Sequence, residues 1–332
     1  MRSGCSIELA AISATNTACE EVRSMKIITQ TNAMLYVYGM EEGIRRIAQA
    51  GFDGVDVSMF YKPGGNSILS KSDDEVRAYY TNLREIIEKN GMYVGQTHTP
   101  FPVISDNLSE NDERWEMQRK GLMASGILGA KYAIVHPTKF YPNADGTLAT
   151  RIYNRGREEN LAYNLEMYGR LLPYLEEYNV KAAIENMFGG DPGKKNAYCP
   201  NVCSNPYELA RLCDDCNALC KNGERFVVCL DIGHTNLSCQ DMPVRQIVNV
   251  LGHRLKTLHL HDNYGIRDEH TAPGIGNVDW DGFFAGLGDI GYDGDFVYEA
   301  DAFFHKFDTG VIGDACDMLY KIARRLIEKA GM

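Results

Sequence analysis

The feature that most constrains this chain is an alternation. A short apolar run followed by an amphipathic helical stretch recurs eight times without an intervening linker. The runs span 26–32, 54–60, 93–101, 132–138, 181–187, 226–234, 255–263 and 294–301. They are continuously apolar rather than alternating, as expected of strands covered on both faces. Between them lie helical patterns such as the one opening at Ser72, where Glu75 stands three residues on as in a capping box, and stopping at Gly91. Eight β–α units of about 35–40 residues predict an α/β fold, a single (β/α)8 barrel. A doubly wound open sheet is the alternative. It is weakened because the first strand is followed by Thr-Asn-Ala-Met-Leu-Tyr-Val-Tyr-Gly rather than a glycine-rich phosphate turn.

Composition bounds the functional classes. The 332 residues are 44% hydrophobic and 24% charged, enough apolar material for a large core. No apolar run approaches the roughly 18 residues of a membrane span, and no secretory leader is evident, so a cytoplasmic protein is expected. Forty-five acids against 34 Lys and Arg give a net charge of −11, which argues against a nucleic-acid partner. Ten cysteines without a leader read as thiols rather than a disulfide frame. The barrel is expected over 25–332, with 1–24 as an N-terminal extension. Long loops follow the fourth strand (139–157) and the fifth (188–205), on the face where such barrels carry their sites.

Each later strand ends in a side chain able to hold a metal. The third ends at His98, the fourth at His136, the fifth at Glu185 and Asn186. The sixth supplies Asp231 and His234, the seventh His259 and His261, the eighth Glu299, and the loop after the seventh adds Asp268 and His270. Parallel strand ends converge on one mouth, where packed carboxylates and imidazoles need a compensating cation. Mixed Asp/Glu/His donors suit Mn²⁺, Zn²⁺, Co²⁺ or Fe²⁺ better than Ca²⁺. A single His at a strand end is more often a hydrogen-bonded structural residue. The joint pattern has no such shared explanation.

From Met25 onward the chain resembles the xylose-isomerase-like superfamily, which includes sugar isomerases, ketose 3-epimerases and the three-zinc apurinic endonucleases. The resemblance rests on Ile-Glu-Asn-Met at 184–187, Leu-Asp-Ile-Gly-His at 230–234, His-Leu-His-Asp at 259–262 and Tyr-Glu-Ala at 298–300. It implies one divalent ion (Mn²⁺, Zn²⁺, Co²⁺ or Mg²⁺) on Glu185, Asp231, His259 and Glu299, with Glu185 and Glu299 also the acid/base pair. It further implies substrate contacts from His234 and Arg267. His98, His136, Asp268 and His270 are expected to contact substrate at the same mouth, with His98 and His136 alternatively ligands of a second metal and Asp191 a weaker candidate. His259 rather than His261 matches the ligand, so His261 is expected to point away from the ion. The implied activity is a metal-dependent sugar isomerase or epimerase, removing a proton beside a carbonyl through an enediolate. A homo-oligomer is left open.

Two other reactions fit the same residues. One is a lyase that eliminates from an oxidised sugar or glycoside. The other is an endonuclease IV-like phosphodiesterase, whose nine zinc ligands have equivalents in His98, His136, Glu185, Asp231, His234, His259, Asp268, His270 and Glu299. The surrounding residues depart from the nuclease: His98 lies in His-Thr-Pro-Phe, Glu185 precedes Asn-Met-Phe-Gly, and His-Leu-His-Asp-Asn lacks the nuclease's Asn-Asp-Ser-Lys. Sugar chemistry is therefore favoured. Cys213, Cys216 and Cys220 share a helical face and read as buried thiols in preference to a zinc site. Phe303 and Phe304 are open to either ring stacking or packing.

Overall fold

The computed structural model describes residues 25–60, 63–152, 155–190 and 198–332. The extension 1–24, Asp191 and the lysines at 194 and 195 lie outside these residues.

Eight parallel strands form the barrel: β1 (Ile27–Gln30), β2 (Gly54–Ser58), β3 (Tyr93–His98), β4 (Tyr132–Val135), β5 (Lys181–Glu185), β6 (Phe226–Asp231), β7 (Leu255–His259) and β8 (Phe296–Tyr298). Each pairs with its sequence neighbour, and β1 closes on β8 through Ile27–Phe296, Ile28–Val297 and Thr29–Tyr298. The seam between β7 and β8 is a single bridge at Leu260–Tyr298, held by Leu260 N–H to the Val297 carbonyl (2.9 Å). The chain is thus a (β/α)8 barrel. Among the described residues, no helix is long and apolar enough to cross a membrane.

Side-chain alternation sorts each strand into two layers. Ala182 and Ile184 join the large core between strands and helices. Ala183 faces the barrel interior with Ile134, Val227 and Cys229, a small separate apolar cluster, and Glu185, two residues on, therefore faces the interior at the mouth. Above that cluster sits a polar tier. The Thr257 hydroxyl donates to the Gln96 side-chain carbonyl, and the Gln96 amide donates to Asp56 at 2.9 Å. The register of β2 against β3 slips between Val55–Val94 and Asp56–Gln96, leaving Gly95 as the extra residue. A side chain there would strike Ile28, its Cβ falling 2.1 Å from the Ile28 Cδ1.

Every strand stops short of its apolar run. Asp231 ends β6, and the helix Ile232–Ser238 begins at once, with the Asp231 side chain accepting from the His234 N–H at 2.7 Å as N-cap. The capping box at Ser72 and Glu75 forms on the helix Asp73–Lys89. Two small hairpins not anticipated from the sequence, Phe140–Pro142 with Leu148–Thr150 and Phe188–Gly190 with Tyr198–Pro200, stiffen the long loops after β4 and β5. Strands of three residues carry too little periodicity to be read in advance.

The loop after β7 is tied down by one carboxylate. Asp262, 1% exposed, accepts from the N–H groups of Asn263 (2.9 Å), Gly274 (2.8 Å) and Val278 (3.1 Å) and from the Trp280 indole (3.0 Å). Asp262→Ala leaves these donors without an acceptor. It is expected to cost about 3 kcal/mol or more of stability, measured as a lowered urea midpoint with unchanged slope.

Candidate metal centre at the barrel mouth

The interior side chains at the strand ends meet in one acid–imidazole assembly. Glu185 from β5, Asp231 from β6, His259 from β7 and Glu299 just past β8 form a group whose ligand atoms all lie within 4.8 Å of one another. His259 Nδ1 sits 3.2 Å from Glu185 and 3.0 Å from Glu299. A second group, His98, His136 and Glu185, shares Glu185 with the first. His136 Nε2 lies 3.1 Å from that carboxylate and 3.0 Å from His98 Nε2. A third group contains His234, His261, Asp268 and His270. His270 Nε2 is 2.8 Å from Asp268, and the Asp231 carboxylate joins this group to the first through His261 Nε2 at 3.1 Å.

The imidazoles are held in one manner. His98, His234 and His270 each place Nδ1 against a backbone carbonyl: Thr99 at 3.0 Å, Asn186 at 2.8 Å and Glu299 at 2.9 Å. A carbonyl only accepts, so each Nδ1 carries the hydrogen and each Nε2 turns a lone pair into the mouth when the ring is neutral. His259 is reversed. Its Nε2 lies 3.6 Å from Asp56 and its Nδ1 faces the glutamates. Fixing one ring nitrogen by a carbonyl or carboxylate is how metal-binding histidines are oriented.

The charges are unbalanced in the same sense. Burial alone would depress His259, His234 and His270. The carboxylates around them outweigh it and hold all three above the ordinary imidazole range, His270 at about 10. Burial would likewise raise Glu185 and Glu299, but the His259 ring and its neighbours keep both carboxyls low. His98, facing His136 rather than an acid at close range, is lowered by burial. Both Glu185 oxygens, both His259 nitrogens and Asp268 Oδ1 are buried without a hydrogen-bond partner. Such atoms, in a donor set of carboxylate and imidazole, fit a divalent cation.

Of the residues singled out from the sequence, His98, His136, His234, Asp268 and His270 line this mouth with the four proposed ligands. Arg267 does not join them and is exposed on the loop. His261 lies outside the group of Glu185, Asp231, His259 and Glu299, yet it faces the same mouth, because residues two apart on a strand share a side. The expectation that it would turn away missed its place beside Asp231. Its ring packs where Gly233 has no side chain, a Cβ at that position falling 2.0 Å from the imidazole. Asp56 was missed altogether, since an acid inside an apolar run carries no signal without its partner Gln96. Cys213 and Cys216 are buried thiols, and Phe303 and Phe304 are buried packing.

The xylose isomerase-like TIM barrel family model matches residues 44–322. The chain belongs to this family. A relative named as an uncharacterized protein, MJ1311 of Methanocaldococcus jannaschii, is 23% identical over 220 residues, 64% of this chain and 67% of that protein. Among solved structures, a D-tagatose 3-epimerase-like protein superposes with a TM-score of 0.64 at 20% identity, over 92% of this chain and 99% of its own. The 3-keto-D-glucoside 4-epimerase YcjR of E. coli gives 0.61 at 16% identity, over 90% and 99%. At these identities the likeness to the solved structures establishes the barrel fold alone.

Asp56 lies 3.6 Å from His259 Nε2, beyond hydrogen-bonding distance, and sets a buried carboxyl beside that ring. Asp56→Asn is expected to weaken Mn²⁺ or Zn²⁺ binding by about 10–100-fold without loss of the far-ultraviolet circular dichroism of the barrel. Competition with a chromogenic chelator measures it. Gly233→Ala, which displaces His261, is expected to alter uptake of any ion beyond the first more than uptake of the first.

Proposed function

We propose that the protein is a divalent-metal-dependent sugar isomerase or epimerase that removes a proton from a carbon next to a carbonyl. The observation that carries this reading is the meeting of Glu185 and Glu299, from strands on different sides of the mouth, at 3.2 and 3.0 Å from the same His259 nitrogen. The ketose and keto-glucoside epimerases among the structural neighbours support it by analogy of fold.

Glu185, Asp231, His259 and Glu299 would hold the ion, which supplies Lewis acidity toward the substrate's carbonyl and neighbouring hydroxyl oxygens. One glutamate, as carboxylate, takes the carbon-bound proton, leaving an enediolate. The other, in its acid form, returns a proton to the opposite face of the same carbon, or to the adjacent carbon with the hydroxyl proton passing from one oxygen to the other. The Gln30 amide, 3.1 Å from Glu299 Oε1, holds that carboxylate in place. His234, pinned through Nδ1, presents Nε2 to a substrate hydroxyl, and Asp268 and His270 line the opening beside it. Elimination from an oxidised glycoside needs the same first proton transfer and differs only in what leaves.

The nine residues matched to the nuclease's zinc ligands all fall in these adjoining groups, which favours one further reading, a three-metal phosphodiesterase. Metal content separates the two: one tightly held ion per chain supports the sugar reading, while three ions together with cleavage of abasic DNA support the nuclease.

Incubation with ketoses and 3-keto-glucosides in D₂O should place deuterium on substrate carbon. Glu185→Gln and Glu299→Gln are each expected to lower that uptake by about 100-fold or more, beyond any loss of bound metal measured on the same samples. Uptake that survives intact in both variants removes the two glutamates from the reaction.

A further inference from the structure

A cleft of about 620 Å³ opens between the loops that follow β3, β4 and β5, and nothing described so far uses it. His136 and Phe101 line it, so it adjoins the metal centre directly. Phe101 stands 4.8 Å from His136 and 5.1 Å from His98 between ring centroids. On the other side Phe188 lies 4.7 Å from His234. Two phenyl rings therefore lead from the histidines into the cleft. Ile104, Phe140 and Val202 are its buried floor, and Ile152 is an exposed lip.

The cleft suits neither a sugar ring nor a phosphate. A sugar ring carries polar groups that need partners when buried, and the Thr138 and Asn201 side chains in the lining are already engaged, Thr138 with the Phe140 N–H and Asn201 with the Phe188 carbonyl and the Val202 N–H. Arg151, the guanidinium in the lining, is turned to Glu208 at 2.9 Å, and Lys139 lies over the Phe140 ring at 5.4 Å. Asp106 in the lining would repel an anion. The volume lies within the range of about 300–1,000 Å³ typical of sites for small organic ligands. A free ketose at the metal centre would leave it to solvent.

We propose that this cleft is an aglycone subsite. The substrate is a glycoside whose oxidised sugar lies at the carboxylate–imidazole groups and whose anomeric oxygen bears an apolar, aromatic group placed between Phe101 and Phe188. This rests on the sugar reading above and adds the class of substrate to it.

The test uses phenyl and methyl 3-oxoglucosides of one anomer, with free ketoses alongside. Deuterium uptake from D₂O is followed with the manganese-loaded protein. The phenyl glycoside is expected to exceed the methyl glycoside in kcat/KM by on the order of tenfold. Ile152→Asp, at the exposed lip, should bring the ratio near unity, and Ile152→Leu should keep it. Equal uptake from both glycosides, uptake from free ketoses alone, or an unchanged ratio in Ile152→Asp overturns the subsite and leaves the proton-transfer reading standing. Uptake from none of the sugars overturns both. A misfolded Ile152→Asp shows in its circular dichroism, and the wild-type ratio with Ile152→Leu then decides.

Discussion

The structure turns on the burial of opposed charges at one end of a closed barrel. Glu185, Asp231 and His259 are almost wholly removed from water. Buried carboxylates of this kind are costly unless paired, and the pairing available within the chain is with imidazoles. The carboxylates accordingly draw protons onto His259, His234 and His270. A divalent ion does the same work with fewer charges to accommodate, because it replaces several imidazolium protons at once. The mouth is thus built around positive charge that the side chains themselves supply poorly.

Holding that assembly requires a rigid frame, and the frame is made of backbone. Three histidines are oriented through Nδ1 by carbonyls of the loops or strand ends beside them. Asp231 caps the helix that carries His234, so one carboxylate fixes a helix start and faces the mouth. Asp262 gathers the residues around Asp268 and His270 through four donors and thereby delivers the third group. Below them the chain of Thr257, Gln96 and Asp56 reaches His259 from inside the barrel. Each support lies on a strand or on the turn directly after one, where the closed sheet allows little displacement.

Much of this was legible in the sequence because barrel strands report their own ends. A polar residue closing an apolar run, repeated strand after strand, marks the mouth whatever the chemistry. That is why His98, His136, Glu185, Asp231, His259 and Glu299 could be picked out jointly, although none of them carries the signal alone. What lay beyond reading depends on register. Asp56 acquires its role from a slip between β2 and β3, and Gly95 permits that slip. His261 was misjudged because the motif match was weighed above the two-residue periodicity that turns it to the same side as His259, and the space at Gly233 admits its ring. The runs themselves were read too long, since their last residues form the loops that carry function.

The three groups are not equal partners, and burial grades them. The group of Glu185, Asp231, His259 and Glu299 is the most enclosed, with side-chain exposures of 1%, 0%, 0% and 12%. His136 in the second group is 14% exposed, and Asp268 and His270 in the third are 20% and 24%. An ion in the enclosed group loses its exchange with solvent and is held by ligands that cannot turn away. At the outer groups, water and substrate oxygens compete for the same lone pairs. The outer histidines therefore stand nearer to solvent, and the shared carboxylates Glu185 and Asp231 couple them to the inner group. If the inner group holds an ion, what the outer nitrogens face separates the two proposed readings: substrate hydroxyls in the sugar reading, further ions in the phosphodiesterase reading.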